Sequence, residues 1–363
     1  MLVLCPFPTG VAAGQRLKFE QYYEDWRSLG WDIDISPYMD RATWAVAFET
    51  GHYARKGWGL LKGHARRMSD VPRIASYDLV YLHMWATPVG TSLFERLTRR
   101  LAKRLIVDVE DNVLVGQGLS PRLNPNYVLK LLKGPGKQRF LIRTADHVIA
   151  SSPFLADTCR KINERRAATY ISSSVDTDRF VPSDRGAQPE VLTIGWTGTF
   201  SSRPYLDLLR PVLQQLARRR AFKLRVIGNF DYELPEVDLE VIRWSATHEV
   251  EDLQGIHIGL YPLPIDDWVS GKSGLKAIQY MAFGIPCVAT DVGTTPMIIR
   301  DGDNGLLVRT EEEWLAALER LIDDPDLRVR LGEKARRDAV AKYSTKAIAA
   351  EYRKVLDLVM SSR

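Results

Sequence analysis

Short apolar runs that read as strands alternate with helix-like runs along the whole chain, and that alternation restricts it to an α/β fold with parallel sheets. In the first half Leu2–Cys5, Ile33–Ile35, Leu79–Leu82, Leu105–Val107 and His147–Ala150 read as strands, with helices over Gln15–Leu29, Gly90–Lys103 and Ser152–Asn163. In the second half Leu192–Trp196, Leu224–Ile227, Ile256–Leu260 and Pro286–Ala289 read as strands, with helices over Pro204–Arg218, Gly274–Phe283 and Glu312–Leu321. A chain of 363 residues, 45% hydrophobic, is long enough for two cores. The polar, Pro/Gly-containing stretch Ser183–Pro189 is the expected linker. We therefore expect two facing doubly wound domains, residues 1–183 and 184–342, with a cleft between them. Residues 343–363 form a terminal helix expected to pack back on the first domain.

Several classes are set aside by composition. No stretch approaches the run of about 20 apolar residues that a spanning helix needs. Met1–Pro8 has no basic leader and reads as a first strand rather than a signal peptide. Cys5, Cys159 and Cys287 are odd in number and show no metal-ligand spacing, which fits a reducing cytoplasm. The net charge of +5 is uneven: residues 1–183 carry 26 Lys and Arg against 18 Asp and Glu. So basic a half either docks on an anionic membrane surface, holds a phosphorylated acceptor, or presents a solvated face with no partner. No nucleic-acid motif appears.

The densest chemistry lies in Gly271–Gly305, GKSGLKAIQYMAFGIPCVATDVGTTPMIIRDGDNG. A Gly-Lys-Ser-Gly turn opens a helix ending at Gly284, a short apolar strand follows, and two glycine-rich turns close the segment. A helix N-terminus offers unpaired N–H groups and the positive end of a dipole, which suits a phosphate, and Lys272 and Lys276 add positive charge there. This segment resembles the donor-binding core of family 4 glycosyltransferases. The resemblance implies the GT-B fold, two Rossmann-like domains, and retaining, metal-independent transfer from a nucleotide-sugar, with no cofactor. It extends along nearly the whole chain and is strongest over Gly195–Val308.

In the second half the resemblance gives donor-binding roles to Gly198, Arg203, Trp244, Lys272, Ser273, Gly274, Leu275 and Gln279. Arg203 is the one basic residue in the loop where the family has an Arg and a Lys; it either grips a phosphate bidentately or is a surface residue starting a helix. Trp244 either stacks on a base or fills the core. The family's two glutamates, seven residues apart, correspond to Gly271 and Gln279. A glutamine still bonds ribose hydroxyls, while glycine replaces no acid. Arg203, Lys272 and the N–H groups of Ser273 to Leu275 would then stabilise the departing diphosphate.

In the first half, Gly10-Val-Ala-Ala-Gly14-Gln-Arg16 follows the first strand; Gly14 admits a phosphate close to backbone, or the stretch is a plain turn. Arg16 stands at the mouth of the expected cleft. His83 ends a strand; a lone histidine is either structural or, as the resemblance implies, in contact with the reacting sugar. Asp108, Glu110 and Asp111 end another strand and read as acceptor ligands or as a helix cap. The catalytic set implied is His83, Arg203 and Lys272, with Arg16, Asp108, Glu110 and Asp111 on the acceptor side. Ser174-Val-Asp-Thr-Asp-Arg-Phe180 resembles the family's pre-linker segment, with serine in place of glycine. The expected acceptor is a saccharide, free or lipid-linked, of a capsule, lipopolysaccharide or exopolysaccharide, handled in the cytoplasm or on the inner membrane face. Alternatives are a natural-product glycosyltransferase, an inactive nucleotide-sugar-binding partner, and a hydrolase or epimerase of nucleotide-sugars.

Overall fold

The computed structural model describes residues 1–47, 49, 51–110, 136–183, 191–266 and 268–362. The chain divides into two compact units, one comprising Met1–Ser172, Ser270–Ser273 and Ala349–Arg363, the other Ser173–Val269 and Gly274–Ile348.

The first unit holds strands β1 (Leu2–Cys5), β2 (Asp34–Pro37), β3 (Val80–His83), β4 (Leu105–Val109), β5 (His147–Ala150) and β6 (Ala168–Tyr170). They form a parallel six-stranded sheet in the order β2-β1-β3-β4-β5-β6. Its helices are α1 (Ala13–Arg16), α2 (Tyr23–Ser28), α3 (Arg41–Ala47), α4 (Tyr53–Asp70), α5 (Leu93–Leu101), α6 (Gly136–Thr144) and α7 (Pro153–Ile162). The central strands β1, β3, β4 and β5 are buried along their whole length, as parallel strands covered on both faces must be.

The second unit repeats the plan with β7 (Leu192–Gly198), β8 (Phe222–Gly228), β9 (Asp238–Arg243), β10 (Ile258–Tyr261), β11 (Cys287–Thr290) and β12 (Leu306–Val308), in the order β12-β11-β10-β7-β8-β9, all parallel. Its helices are α8 (Arg203–Asp207), α9 (Arg210–Ala217), α10 (Glu249–Gln254), α11 (Leu275–Ala282), α12 (Thr295–Ile298), α13 (Glu311–Asp323) and α14 (Pro325–Lys342), with α15 (Thr345–Ser361) closing the chain. Trp196, Leu213, Leu224, Ile258, Val288 and Leu318 anchor its core.

Three strands carry no signal in the sequence reading: β6, β9 and β12. All are edge strands. β6 and β12 are three residues long, and β9, largely solvent-accessible, has no continuous apolar run. Two expected helices are broken. Gln15–Leu29 becomes α1, a 3-10 turn at Glu20–Tyr22, and α2. Pro204–Arg218 divides because Pro211, lacking an N–H, cannot continue the ladder and instead starts α9. Of the expected linker, only Ser183 is among the described residues.

The pre-linker segment is held within the second unit by Arg336. Its guanidinium donates to Phe180 O at 2.6 Å, Ala282 O at 2.7 Å and Thr177 O at 2.8 Å, so it also caps the last turn of α11. Ser174 is fully buried and has no positive φ, so glycine is not required there. Residues of α15 from Ala349 onward pack in the first unit: Tyr352 lies 4.8 Å from Tyr22 and 5.7 Å from Trp26, and Arg104 Nε donates to Val359 O at 2.7 Å.

Helix α4 sets the carboxyl edge of the first sheet. Arg67, 2% exposed, donates to Cys5 O at the end of β1 at 3.0 Å, Ser36 Oγ on β2 at 2.9 Å, Ala86 O after β3 at 2.8 Å, and Asp70 at 2.9 Å. Arg67→Met should strand Asp70 without a counter-charge and lower unfolding stability by about 3–5 kcal/mol, measured as a reduced urea midpoint at unchanged slope.

Candidate active site

In doubly wound sheets ligands bind beyond the carboxyl ends of the strands, where the strand order reverses. In the first sheet that point lies between β1 and β3, and in the second between β7 and β10. Of the residues singled out from sequence, His83 and Gly198 end two of these strands, β3 and β7.

In the first unit, the turn after β1 is shaped by two buried side chains. Gln15 brackets Phe7, accepting from its N–H at 2.9 Å and donating to its carbonyl at 3.0 Å, and also donates to Glu20 at 2.6 Å. Glu20 accepts from Gly10 N at 2.8 Å. Burial raises the Glu20 carboxyl pKa, opposed by those two hydrogen bonds and by nearby His83 and Arg16. Neither Gln15 nor Glu20 has a spacing signal; both lie inside a helix-like run.

The space over Gly14 is occupied. A Cβ there would collide with the Glu110 carboxylate, so Gly14, expected to admit a phosphate, makes room for Glu110 here. This close approach brings Glu110 from the end of β4 beside α1. Asp111 lies outside the described residues.

His83 ends β3, 2% exposed, with its ring 4.9 Å from that of Phe19. Its Nδ1 is 3.8 Å from Asp108 Oδ2, beyond hydrogen-bond reach, and has no hydrogen-bond partner among the described residues. The chain turns sharply after it through Met84, φ 63°, whose N–H bonds Asp108 O at 2.8 Å.

Asp108, expected on the acceptor side, is fully buried and paired with Lys18, while Tyr81 donates to its Oδ2 at 2.5 Å. Lys18 also donates to Val109 O at 3.1 Å, fastening the segment after α1 to β4. The sequence reading passed over Lys18 because a lysine inside a helix-like run reads as solvated. Burial by itself would raise the Asp108 pKa, but Lys18 and His83 outweigh it and hold the carboxyl below its ordinary value of 3.8. Its contribution to stability is therefore complete above that value and lost as pH falls through the lower folded-state value.

In the second unit, Gly198 ends β7. A Cβ on it would strike the Trp196 ring and Ser202 Oγ. The following turn closes with a capping box between Thr199 and Ser202, and Asn229 beyond β8 accepts from Phe200 N at 2.8 Å. Arg203 opens α8 with Nε 3.6 Å from Asp207 Oδ2 and its guanidinium 5.7 Å from the Tyr232 ring centre. Half-buried Trp244 continues past β9, its N–H bonding Gly228 O at 3.0 Å.

Helix α11 follows the β10 loop. Gly274 precedes it at φ +73°, where a Cβ would also collide with Ile298, so glycine is needed for conformation and for space. Gly274, as the N-cap residue, has no side chain to cap the first turn, and a helix N-terminus suits an anionic ligand. Tyr280 fixes the helix on β7, its hydroxyl accepting from Thr197 N at 3.2 Å and donating to Gly195 O at 3.3 Å. The Lys276 ammonium lies 5.5 Å from the Trp196 ring and 5.8 Å from that of Tyr261, linking α11 to the ends of β7 and β10. Lys272 and Ser273 belong to the short segment grouped with the first unit. That segment is held by Ser151 Oγ donating to Gly271 O at 3.0 Å and Ser152 Oγ to Ser270 O at 2.8 Å.

Gln279 is 5% exposed and donates to Glu249 Oε1 at 3.3 Å. Glu249, itself 2% exposed in the first turn of α10, escaped the sequence reading. The available signal was an acid just after the polar turn Ser245–Thr247, where a helix start attracts negative charge. Among the described residues no three His, Cys, Asp or Glu side chains gather to hold a metal.

Residues 191–324 match the family model described as glycosyl transferases group 1. The D-inositol 3-phosphate glycosyltransferase of Corynebacterium jeikeium is 29% identical over 219 residues, 53% of this chain and 52% of that protein. Its namesake from Streptomyces bingchenggensis is 24% identical over 88% of this chain and 73% of its own length. The match thus spans about half the length of the first of these relatives. Among solved structures, sucrose-phosphate synthase from Thermosynechococcus elongatus aligns over 100% of this chain and 99% of its own, with TM-score 0.73 and 16% identity. HepE of Anabaena in complex with UDP-glucose aligns over 99% and 100%, with TM-score 0.66 and 15% identity.

Asp108→Asn should leave Lys18 buried without its counter-charge. We expect a stability loss of about 3–5 kcal/mol at neutral pH and a flatter acid limb, read from urea midpoints at a series of pH values. With its two parallel six-stranded sheets and its alignment along the whole chain to solved GT-B structures, the chain has the GT-B fold, and residues 191–324 within its second unit match glycosyl transferases group 1.

Proposed function

We propose that this chain is a retaining, metal-independent glycosyltransferase that moves a sugar from a nucleoside-diphosphate sugar to a hydroxyl of a saccharide acceptor in cell-surface polysaccharide assembly. The observation that carries the reading is the uncapped N-terminus of α11 behind Gly274, at the switch point of the second sheet and inside the matched segment. The N–H groups there, with Lys272 and Arg203, supply positive charge for a departing diphosphate. The solved complexes of HepE with UDP and with UDP-glucose support a nucleotide-sugar as donor.

In this reading the bond between the anomeric carbon and the diphosphate oxygen breaks while the acceptor hydroxyl attacks the same face. The acceptor proton passes to the departing phosphate oxygen, which gives retention without a covalent nucleophile. His83 orients the sugar or the acceptor, and Arg16 and Glu110 serve the acceptor side. The names of the relatives favour a second reading, in which the acceptor is a phosphorylated polyol. An acceptor panel containing both classes separates the two.

Thermal unfolding against UDP-, GDP-, dTDP- and CMP-sugars tests the donor site. At a hundred times its dissociation constant the true nucleotide should stabilise the fold by about 2.7 kcal/mol. Silence from every nucleotide would overturn the donor assignment. Lys272→Ala should lower kcat by roughly a hundredfold or more, and a chelator should leave turnover unchanged. Product formed without any acceptor would favour hydrolysis or epimerisation instead.

A further inference from the structure

Helix α4 presents two opposed faces. The inner face is Gly59, Gly63, Arg67 and Asp70, all buried. Its glycines let the helix lie close: a Cβ on Gly59 would strike Thr43, and one on Gly63 the Tyr38 ring. The outer face is apolar where a globular surface would be polar. Trp58 is 60% exposed, Leu61 63% and Met68 60%, and Ala54 and Ala65 are exposed between them. At 3.6 residues per turn these five fall within about 80° of one another, diametrically opposite the buried face. Tyr53, 83% exposed, stands at the helix start.

The charge around this stripe is predominantly positive. From Arg41 to Ser69 the sequence has six Lys and Arg and one acid, Glu49. Arg55 and Lys62 follow the stripe on one flank, both exposed, with Arg66 behind them. Lys62 lies 3.4 Å from Asp40, Lys56 donates to the Glu49 carbonyl, and Arg66 donates to Pro37 O and Tyr38 O. Asp40 offsets Lys62, while bonds to carbonyls leave the charges of Lys56 and Arg66 uncompensated, so the flank keeps a net positive charge. Among the described residues no helix is long and apolar enough to cross a membrane. An exposed Trp-Leu-Met stripe bordered by Lys and Arg suits a helix lying in the headgroup region of an anionic bilayer.

We propose that α4 docks this protein on an anionic membrane surface, with Trp58, Leu61 and Met68 entering the headgroup boundary and Arg55 and Lys62 facing lipid phosphates. The proposal goes beyond the transferase reading and does not depend on it, because vesicle binding needs neither nucleotide nor acceptor. A lipid-linked acceptor would explain its use.

The test is co-sedimentation of the full chain with vesicles of equal parts phosphatidylcholine and phosphatidylglycerol, against vesicles of phosphatidylcholine alone. We expect binding to the anionic vesicles that weakens in high salt. Trp58→Ser with Leu61→Ser should reduce the partition coefficient roughly tenfold or more. Lys62→Glu with Arg55→Glu should reduce it severalfold, and Leu208→Ser, an exposed leucine of the second unit, should change nothing. These positions are exposed, so melting temperatures should match wild type and separate lost binding from lost folding. Failure to bind anionic vesicles, or binding undiminished in the double variants, would overturn the proposal. A wild-type dimer that Trp58→Ser with Leu61→Ser converts to monomer, without vesicle binding, would assign the stripe to a second copy of the chain and overturn it equally.

Discussion

A parallel strand covered on both faces leaves no room for an unpaired polar side chain along its length, so both sheets confine their chemistry to the carboxyl edges of their strands. Asp108 is the informative exception. It lies within β4, fully buried, and is tolerated because Lys18 and Tyr81 reach it from outside the strand. That ion pair does more than neutralise a charge. Lys18 lies between α1 and α2, so the pair ties the irregular segment after β1 to the centre of the sheet, beside His83 and Glu110. The shape of the first unit's edge depends on a charge that the interior would otherwise reject.

Glycine plays a matching role by letting elements approach. Gly14 admits Glu110, Gly198 admits Trp196 and Ser202, and Gly274 turns the backbone into α11 against Ile298. In α4 the same device frees the outer face: with Gly59 and Gly63 inward, the large apolar residues of the helix have nowhere to pack but outward. Arg67 then does from the inner face what a hydrophobic side chain cannot, satisfying carbonyls at the ends of β1 and beyond β3 together.

The plan of the fold was legible because buried parallel strands are written as unbroken apolar runs, and Leu2–Cys5, Leu105–Val107 and Leu192–Trp196 are such runs. Helix α4 was not legible, since its three glycines and outward apolar residues match neither a solvated nor a core-facing pattern. Positions at strand ends, His83 and Gly198 among them, could be found from the turns that follow apolar runs. Their neighbours could not. Lys18 and Glu249 act through long-range contacts and Glu20 through an irregular turn, and nothing in their spacing distinguishes a buried pairing from a solvated charge.

Gln279 and Glu249 illustrate how a local departure from a family pattern can be absorbed elsewhere in a fold. A glutamate at 279 would face Glu249 as a second carboxylate in a buried site, and like charges at that range oppose one another. Glutamine removes the conflict and supplies a donor to the remaining acid. The acid that stays is in the first turn of α10, where the helix dipole favours negative charge. Glu249 thus places a carboxylate beside α11, carried by a different helix from the one on which the sequence pattern leads one to look for it.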